Sequence, residues 1–300
     1  LFETFIDKLR NSTYITLETT PSRSAQFTPT IEKIAALGLD KLVDGFSTTD
    51  NPLAKLKYNA LFAAMKLQDR FGLPTLATMS MRDRNRIALQ SDLLGANESN
   101  VRAILALTGD SAHYSDQPHA KGVFEGNSKL LLDIITTLNN GTDLAEQKLL
   151  APVQEIYPFA VIDAYAKSSA TLQKKMTKKV AHGAIGIISQ PVYDLENARK
   201  LLDMMVEANR ENNAACVLVL GYFPITKLRT ARFLDENVPG IFVPSKWVEA
   251  LEAASLISPE EEYRVGFELS KTLFEELKAL HPKIHIMTAN QFELAKAILS

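Results

Sequence analysis

The chain contains a single cysteine, Cys216, so it can form neither an internal disulfide nor a multi-cysteine metal site. Cys216 sits in the apolar run Ala215-Cys216-Val217-Leu218-Val219-Leu220 and reads as a reduced core thiol rather than a reactive one. No apolar stretch approaches the roughly 20 residues that span a bilayer. The charge balance leans neither way: 33 Lys+Arg face 35 Asp+Glu, a formal net charge of -2, which argues against nucleic acid or another polyanion as the main partner. Phosphate-cradling glycine loops are missing as well. No GxGxxG follows the first strand and no GxxxxGK[ST] occurs; Gly221-Tyr222-Phe223-Pro224 and Leu107-Thr108-Gly109-Asp110 read as strand-end turns. His113 and His119 do not form HExxH and have no carboxylate or cysteine at ligand spacing, so no zinc site is expected. Without GxSxG, covalent acyl transfer has no support.

What is present is a strand-helix rhythm. Short β-prone runs fall at Tyr14–Leu17, Lys41–Phe46, Thr75–Met79, Ala103–Leu107, Phe159–Ile162, Ala184–Ser189, Cys216–Leu220 and Ile284–Met287. Most are continuously apolar, as parallel strands covered on both faces must be. Helical patterns separate them: Pro29–Ala36, Leu53–Phe71, Asp92–Ser99, Ser128–Leu138, Ala170–Ala181, Leu195–Glu211, Ile225–Leu234 and Pro259–Leu280. Eight such units predict a (β/α)8 TIM barrel formed by residues 1–300 as one domain; a doubly wound open sheet shares the same local grammar. The opening LFETFIDKLR reads as an amphipathic helix covering the barrel's bottom or side rather than a secretion signal, and a cytoplasmic protein is the expectation. Pro239–Ser245 reads as a short extended insertion in the final crossover, before the last strand. Ser111–Asn127, rich in Gly, Pro, His and Asp, reads as an ordered active-site loop.

In a barrel, side chains at the C-terminal strand ends converge on one mouth. Those positions here carry Glu18, Thr49, Asp50, Arg82, Thr108, Asp110, Asp163, Gln190, Tyr222 and Asn290. Glu18, in an apolar and hydroxyl-rich run, suits a general acid, or else a capping or salt-bridged carboxylate. Asp110 suits the amidine-like edge of a heterocycle, or a helix cap. Gln190 offers donor and acceptor to a heterocycle, or to loop backbone. The cluster Arg82, Asp83, Arg84 and Arg86 suits phosphate binding or a salt-bridge network.

These strand ends carry a resemblance. Thr49–Ala54, Arg82–Asn85, Leu89–Ala96, Leu105–Asp110, Lys121–Phe124, Ser189–Asp194 and Pro239–Ile241 with Val243-Pro244 resemble, in order, segments of the flavin-dependent methylenetetrahydrofolate reductase family, particularly its short bacterial form. The resemblance implies FAD along the mouth, reduced by NADH or NADPH, and reduction of 5,10-methylenetetrahydrofolate to 5-methyltetrahydrofolate in methionine biosynthesis; the chain's departures from the family leave reduction by a protein donor as the alternative. It implies Glu18 as the acid that opens the folate imidazolidine ring and Asp110 as the carboxylate near the flavin pyrimidine and the pterin edge. Gln190 matches a folate-binding amide, Thr49 a threonine beside the isoalloxazine, and Lys179 a basic residue of the FAD phosphates or ribityl chain; Arg82 joins the cofactor-binding set. The chain departs from the family where His-Leu-Thr-Cys becomes Thr78-Met79-Ser80-Met81, where Tyr and His become Phe159 and Asp163, and where Thr-Gln becomes Ser189-Gln190. The rival expectations are a folate-binding methyl-transfer barrel and a non-catalytic subunit of a one-carbon enzyme complex. Self-association into a homo-oligomer is left open.

Overall fold

The computed structural model describes residues 1–300 as eight parallel strands closed into a barrel in sequence order, β1 pairing with β8. The strands are β1 (Tyr14–Thr19), β2 (Gly45–Thr48), β3 (Thr75–Ser80), β4 (Ala103–Leu107), β5 (Tyr157–Ile162), β6 (Gly186–Pro191), β7 (Val217–Tyr222) and β8 (Lys283–Ile286). The crossovers are α2 (Thr28–Leu37), α3 (Ala60–Phe71), α4 (Arg86–Glu98), α5 (Ser128–Asn139), α6 (Ser169–Ala181) and α7 (Leu195–Asn212). The last crossover holds three helices, α8 (Leu228–Asn237), α9 (Ser245–Ser255) and α10 (Pro259–Leu280). The open-sheet alternative is excluded by the β1–β8 pairing, in which Thr16 faces His285.

Side-chain alternation along the strands makes two apolar layers. Outward residues such as Leu17, Phe46, Ala77, Ile104 and Ile187 join the helices in the large core between sheet and helix ring. Inward residues make a smaller cluster of Tyr14, Leu76, Ala103, Leu105, Tyr157, Phe159, Ile188 and Val219. The amphipathic helix α1 (Phe2–Asn11) closes this cluster by driving Phe2, Phe5, Ile6 and Leu9 against it. Phe2 stacks on Tyr157 at 5.9 Å, and the Arg102 guanidinium lies 4.8 Å from the Phe2 ring centre. Glycine makes room for this plug: a Cβ at Gly45 would lie 2.8 Å from the Phe5 ring, and one at Gly186 would lie 2.5 Å from the Phe159 ring.

The differences from the sequence reading are local. Leu53–Phe71 is not one helix: Leu53 takes φ 55° in a short turn, and α3 starts only after Asn59, whose side chain caps it by accepting from Leu61 and Phe62. Residues 239–244 form no strand; they run without regular structure into α9. A final helix, α11 (Phe292–Leu299), follows β8 and packs Phe292, Ala295 and Ile298 into the core. Cys216 is buried, and burial pushes its thiol up to about 12, so it stays protonated and inert.

Candidate active site at the barrel mouth

Above the apolar floor, the inward positions of the strands turn polar. Glu18 on β1, Thr49 after β2, Arg82 after β3, Asp110 after β4, Gln190 on β6 and Lys179 from α6 all line one cavity of about 350 Å³. A larger cleft of about 500 Å³ lies between α7, α9 and α10 and shares no lining residue with the mouth. The mouth is the better candidate because titratable groups from several strands converge there.

One wall of the mouth is apolar, built from Leu105, Leu107, Val161 and Ile188; the wall from the end of β2 and from β3 carries hydroxyls, Thr49, Thr78 and Ser80. The Thr49 and Ser80 hydroxyls are buried without any hydrogen-bond partner. Such groups are uncommon in a folded interior, and a ligand or an ordered water can supply the missing bond. A flat heterocycle with polar edges fits this pairing of walls.

Glu18 has a neighbour that the motif reading passed over. His285 on β8 is buried, lies across the sheet seam, and brings Nε2 to 3.9 Å from Glu18 Oε2. Its Nδ1 is 2.8 Å from Thr16 Oγ1, and Ser47 Oγ is 3.5 Å from Nε2. The sequence held only a parity clue: His285 is inward on its strand, as Glu18 is on β1. Finding the pair required the closure of the barrel.

Asp110 caps no helix. Its Oδ2 accepts the Leu53 N–H at 2.7 Å, pinning a loop whose Asn51, Leu53 and Ala54 all have left-handed backbone. Asp116 accepts Leu56 N–H at 3.0 Å in the same strap. Non-glycine residues hold such conformations only where their surroundings impose them, often beside functional sites. Gly109, at φ 91°, makes the turn that carries Asp110 toward the mouth.

Gln190 owes its aim to an irregularity. The β6–β7 register shifts between Ile188 and Pro191, where Gly221 N–H donates to Ser189 Oγ at 2.9 Å. A side chain at Gly221 would collide with the Ser189 carbonyl, so this close approach requires glycine. Thr78 lines the cavity where the family's histidine would be expected. Phe159 lies in the floor under α1, so β5 presents Val161 and Asp163 to the ligand spaces instead.

The arginines form a brace. Arg82 gives two hydrogen bonds to Asp83, at 2.8 and 2.6 Å, and one to the Asn51 carbonyl at 3.0 Å. Arg84 joins buried Asp50 at 2.6 Å and Asp92 at 2.8 Å, while Asp50 also accepts Ser80 N–H at 2.9 Å. Arg82 reaches the cavity wall, but its guanidinium is already engaged by the chain.

Adjoining the mouth is an annex of about 410 Å³ that shares Thr108, Ser128, Val161, Lys179 and Gln190 with it. Lys129, Lys175, Lys178 and Lys179 line it against one carboxylate, Asp163, which pairs with Lys175 at 2.8 Å. Lys179 is held down at about 8, chiefly by burial, with Lys175 and Lys129 adding to the effect and Asp163 opposing it. An anion would relieve that cost. No group of metal-ligating side chains occurs anywhere in the chain.

The methylenetetrahydrofolate reductase family model matches residues 2–300. The chain belongs to the methylenetetrahydrofolate reductase family. No curated protein matches its sequence significantly. Among solved structures, the fold is similar to an uncharacterised protein from Clostridium thermocellum described as binding two copies of 5-methyl-5,6,7,8-tetrahydrofolic acid. The TM-score is 0.64 at 15% identity, covering 100% of this chain and 97% of that one. EDTA monooxygenase (EmoA) from Chelativorans sp. BNC1 aligns with TM-score 0.56 and 10% identity over 96% of this chain and 91% of its own. DmoA from Hyphomicrobium sulfonivorans gives 0.55 and 8% over 96% and 86%. At these identities the structural likenesses speak for the fold; the family rests on the sequence model. No helix is long and apolar enough to cross a membrane.

Proposed function

We propose that this member of the family reduces 5,10-methylenetetrahydrofolate to 5-methyltetrahydrofolate at the barrel mouth. The reading rests on one observation: the six residues matched to the family's site, drawn from five strand ends and one helix, line a single cavity. The two unpartnered hydroxyls and the lysine annex fit FAD, which when bound supplies the hydride for the one-carbon unit. Lys179, with Lys129 and Lys178 beside it, would hold the anionic part of the cofactor, and Thr49 would meet its ring system.

Glu18 donates a proton to the folate imidazolidine nitrogen, opening that ring to an iminium able to accept hydride. His285, fixed by Thr16, stands where it can return a proton to Glu18. Asp110 orients the pterin edge, in competition with the Leu53 N–H, and Gln190 reads the same heterocycle. The affinity of the Clostridium thermocellum neighbour for a methylated folate supports a folate ligand here. The physiological donor is a reduced nicotinamide or an electron-transfer protein.

Anaerobic stopped-flow absorbance tests the proposal. FAD-reconstituted protein is reduced chemically and mixed with 5,10-methylenetetrahydrofolate; rapid flavin reoxidation with 5-methyltetrahydrofolate formed is the expected result. Glu18→Gln should slow that step about 100-fold or more while leaving folding and flavin binding unchanged. Protein that binds folate yet never reoxidises flavin would favour the methyl-transfer barrel, and unchanged turnover in Glu18→Gln would remove Glu18 as the acid.

A further inference from the structure

We infer that Ser80 is a ligand-binding residue of the mouth, its hydroxyl bonding the pyrimidinone edge of the bound heterocycle. The inference deepens the proposed function and rests on it. Along β3, Leu76, Thr78 and Ser80 share the inward parity, stepping from the apolar floor to the cavity wall. Ser80 is 1% exposed, and its hydroxyl has no hydrogen-bond partner. The backbone N–H of the same residue is engaged on Asp50 at 2.9 Å, while its hydroxyl is left without a partner.

Gly109 leaves room beside that buried hydroxyl. A Cβ at Gly109 would lie 3.1 Å from Ser80 Cβ and 3.4 Å from its Oγ, so a larger residue would lie across the hydroxyl. Thr49, inward after the neighbouring strand, carries the second unpartnered hydroxyl. A serine hydroxyl donates to a carbonyl or accepts from an N–H. A pyrimidinone edge offers both, and it is common to the flavin and to the pterin. Leu105, Leu107, Val161 and Ile188 supply the apolar surface such a flat ring would lie against.

The test measures two dissociation constants in wild type, Ser80→Ala and Ser80→Thr: FAD by flavin fluorescence, and 5-methyltetrahydrofolate by calorimetry. Thermal unfolding serves as the folding control. Loss of one neutral hydrogen bond should weaken binding of one ligand about 3- to 10-fold in Ser80→Ala, with Ser80→Thr within about 2-fold of wild type. The ligand affected identifies whether the flavin or the pterin edge meets Ser80. Wild-type affinity for both ligands in Ser80→Ala would overturn the inference while leaving the proposed function standing, and so would equal losses in the two variants. Wild-type protein that binds neither ligand would overturn both.

Discussion

The depressed Lys179 ammonium makes anion binding at the annex depend on pH with a definite sign. Free protein holds Lys179 at about 8 against an ordinary 10.5, mainly because burial penalises its charge. An anion seated beside it restores the charged form, so binding takes up a proton between those limits. At about 1.36 kcal/mol per pH unit, the gap caps the coupling at about 3.4 kcal/mol. Affinity should be full below about pH 8 and fall as pH rises through it. Between about pH 7.5 and pH 9.5 the loss would be about 20-fold at the cap, and about 10-fold if residual water halves the coupling. The assay is flavin fluorescence titration with FAD across that range, with riboflavin, which lacks the diphosphate, as internal control. FAD should show the slope; riboflavin and Lys179→Met should not. For stability the sign reverses. Charged Lys179 opposes folding below about 8, and that penalty is relieved as pH rises from there toward 10.5. The same FAD slope in Lys179→Met as in wild type would refute the assignment of the annex to the anionic end of the ligand.

Two further outcomes follow from the scaffold around the mouth. Arg84→Met strands buried Asp50 and should cost about 3–5 kcal/mol, lowering Tm by about 5–8 °C in calorimetry for a chain of 300 residues; a change below about 2 °C would deny the pair its bracing role. Gly221→Ala forces a Cβ against the Ser189 carbonyl and the Gln190 backbone. It should cost about 1–3 kcal/mol in denaturant unfolding and raise the Kd for folate more than that for FAD, because Gln190 is displaced.

The barrel was legible because its strands are short, mostly apolar runs and its helices carry amphipathic stripes; Ala103–Leu107 and Pro259–Leu280 coincide with the observed elements to the residue. Boundaries drifted where local chemistry overrode apolar pattern. Lys41–Phe46 was apolar enough for a strand, yet Leu39–Lys41 closes a 3-10 turn after the left-handed Gly38, and β2 begins only at Gly45. The Leu53–Phe71 pattern hid a strap whose conformation is imposed from outside by Asp110 and Asp116, 57 and 60 residues further along the chain. No periodicity carries that information.

The site divides along the same line. Strand-end residues could be named from sequence because the barrel gives every strand a mouth position, and the family resemblance set Glu18, Asp110 and Gln190 apart as expected site residues, which the fold brings to one cavity. Ser80 could be placed at a strand end but not distinguished there, and His285 was one histidine among five; what sets them apart is what surrounds them, a carboxylate across the β1–β8 seam for His285 and a missing partner for Ser80. The change of the family's histidine to Thr78 then takes on a physical meaning. It leaves Thr78 beside Ser80 and Thr49 on a wall of small hydroxyls, neutral at every accessible pH. The charged and titratable side chains stand around that wall: Glu18 beside His285 on one side, Asp110 after β4, and Lys179 on the other. The hydroxyl wall itself cannot change charge, so the pH dependence of anion binding beside Lys179 should be separable by mutation from that of chemistry at Glu18.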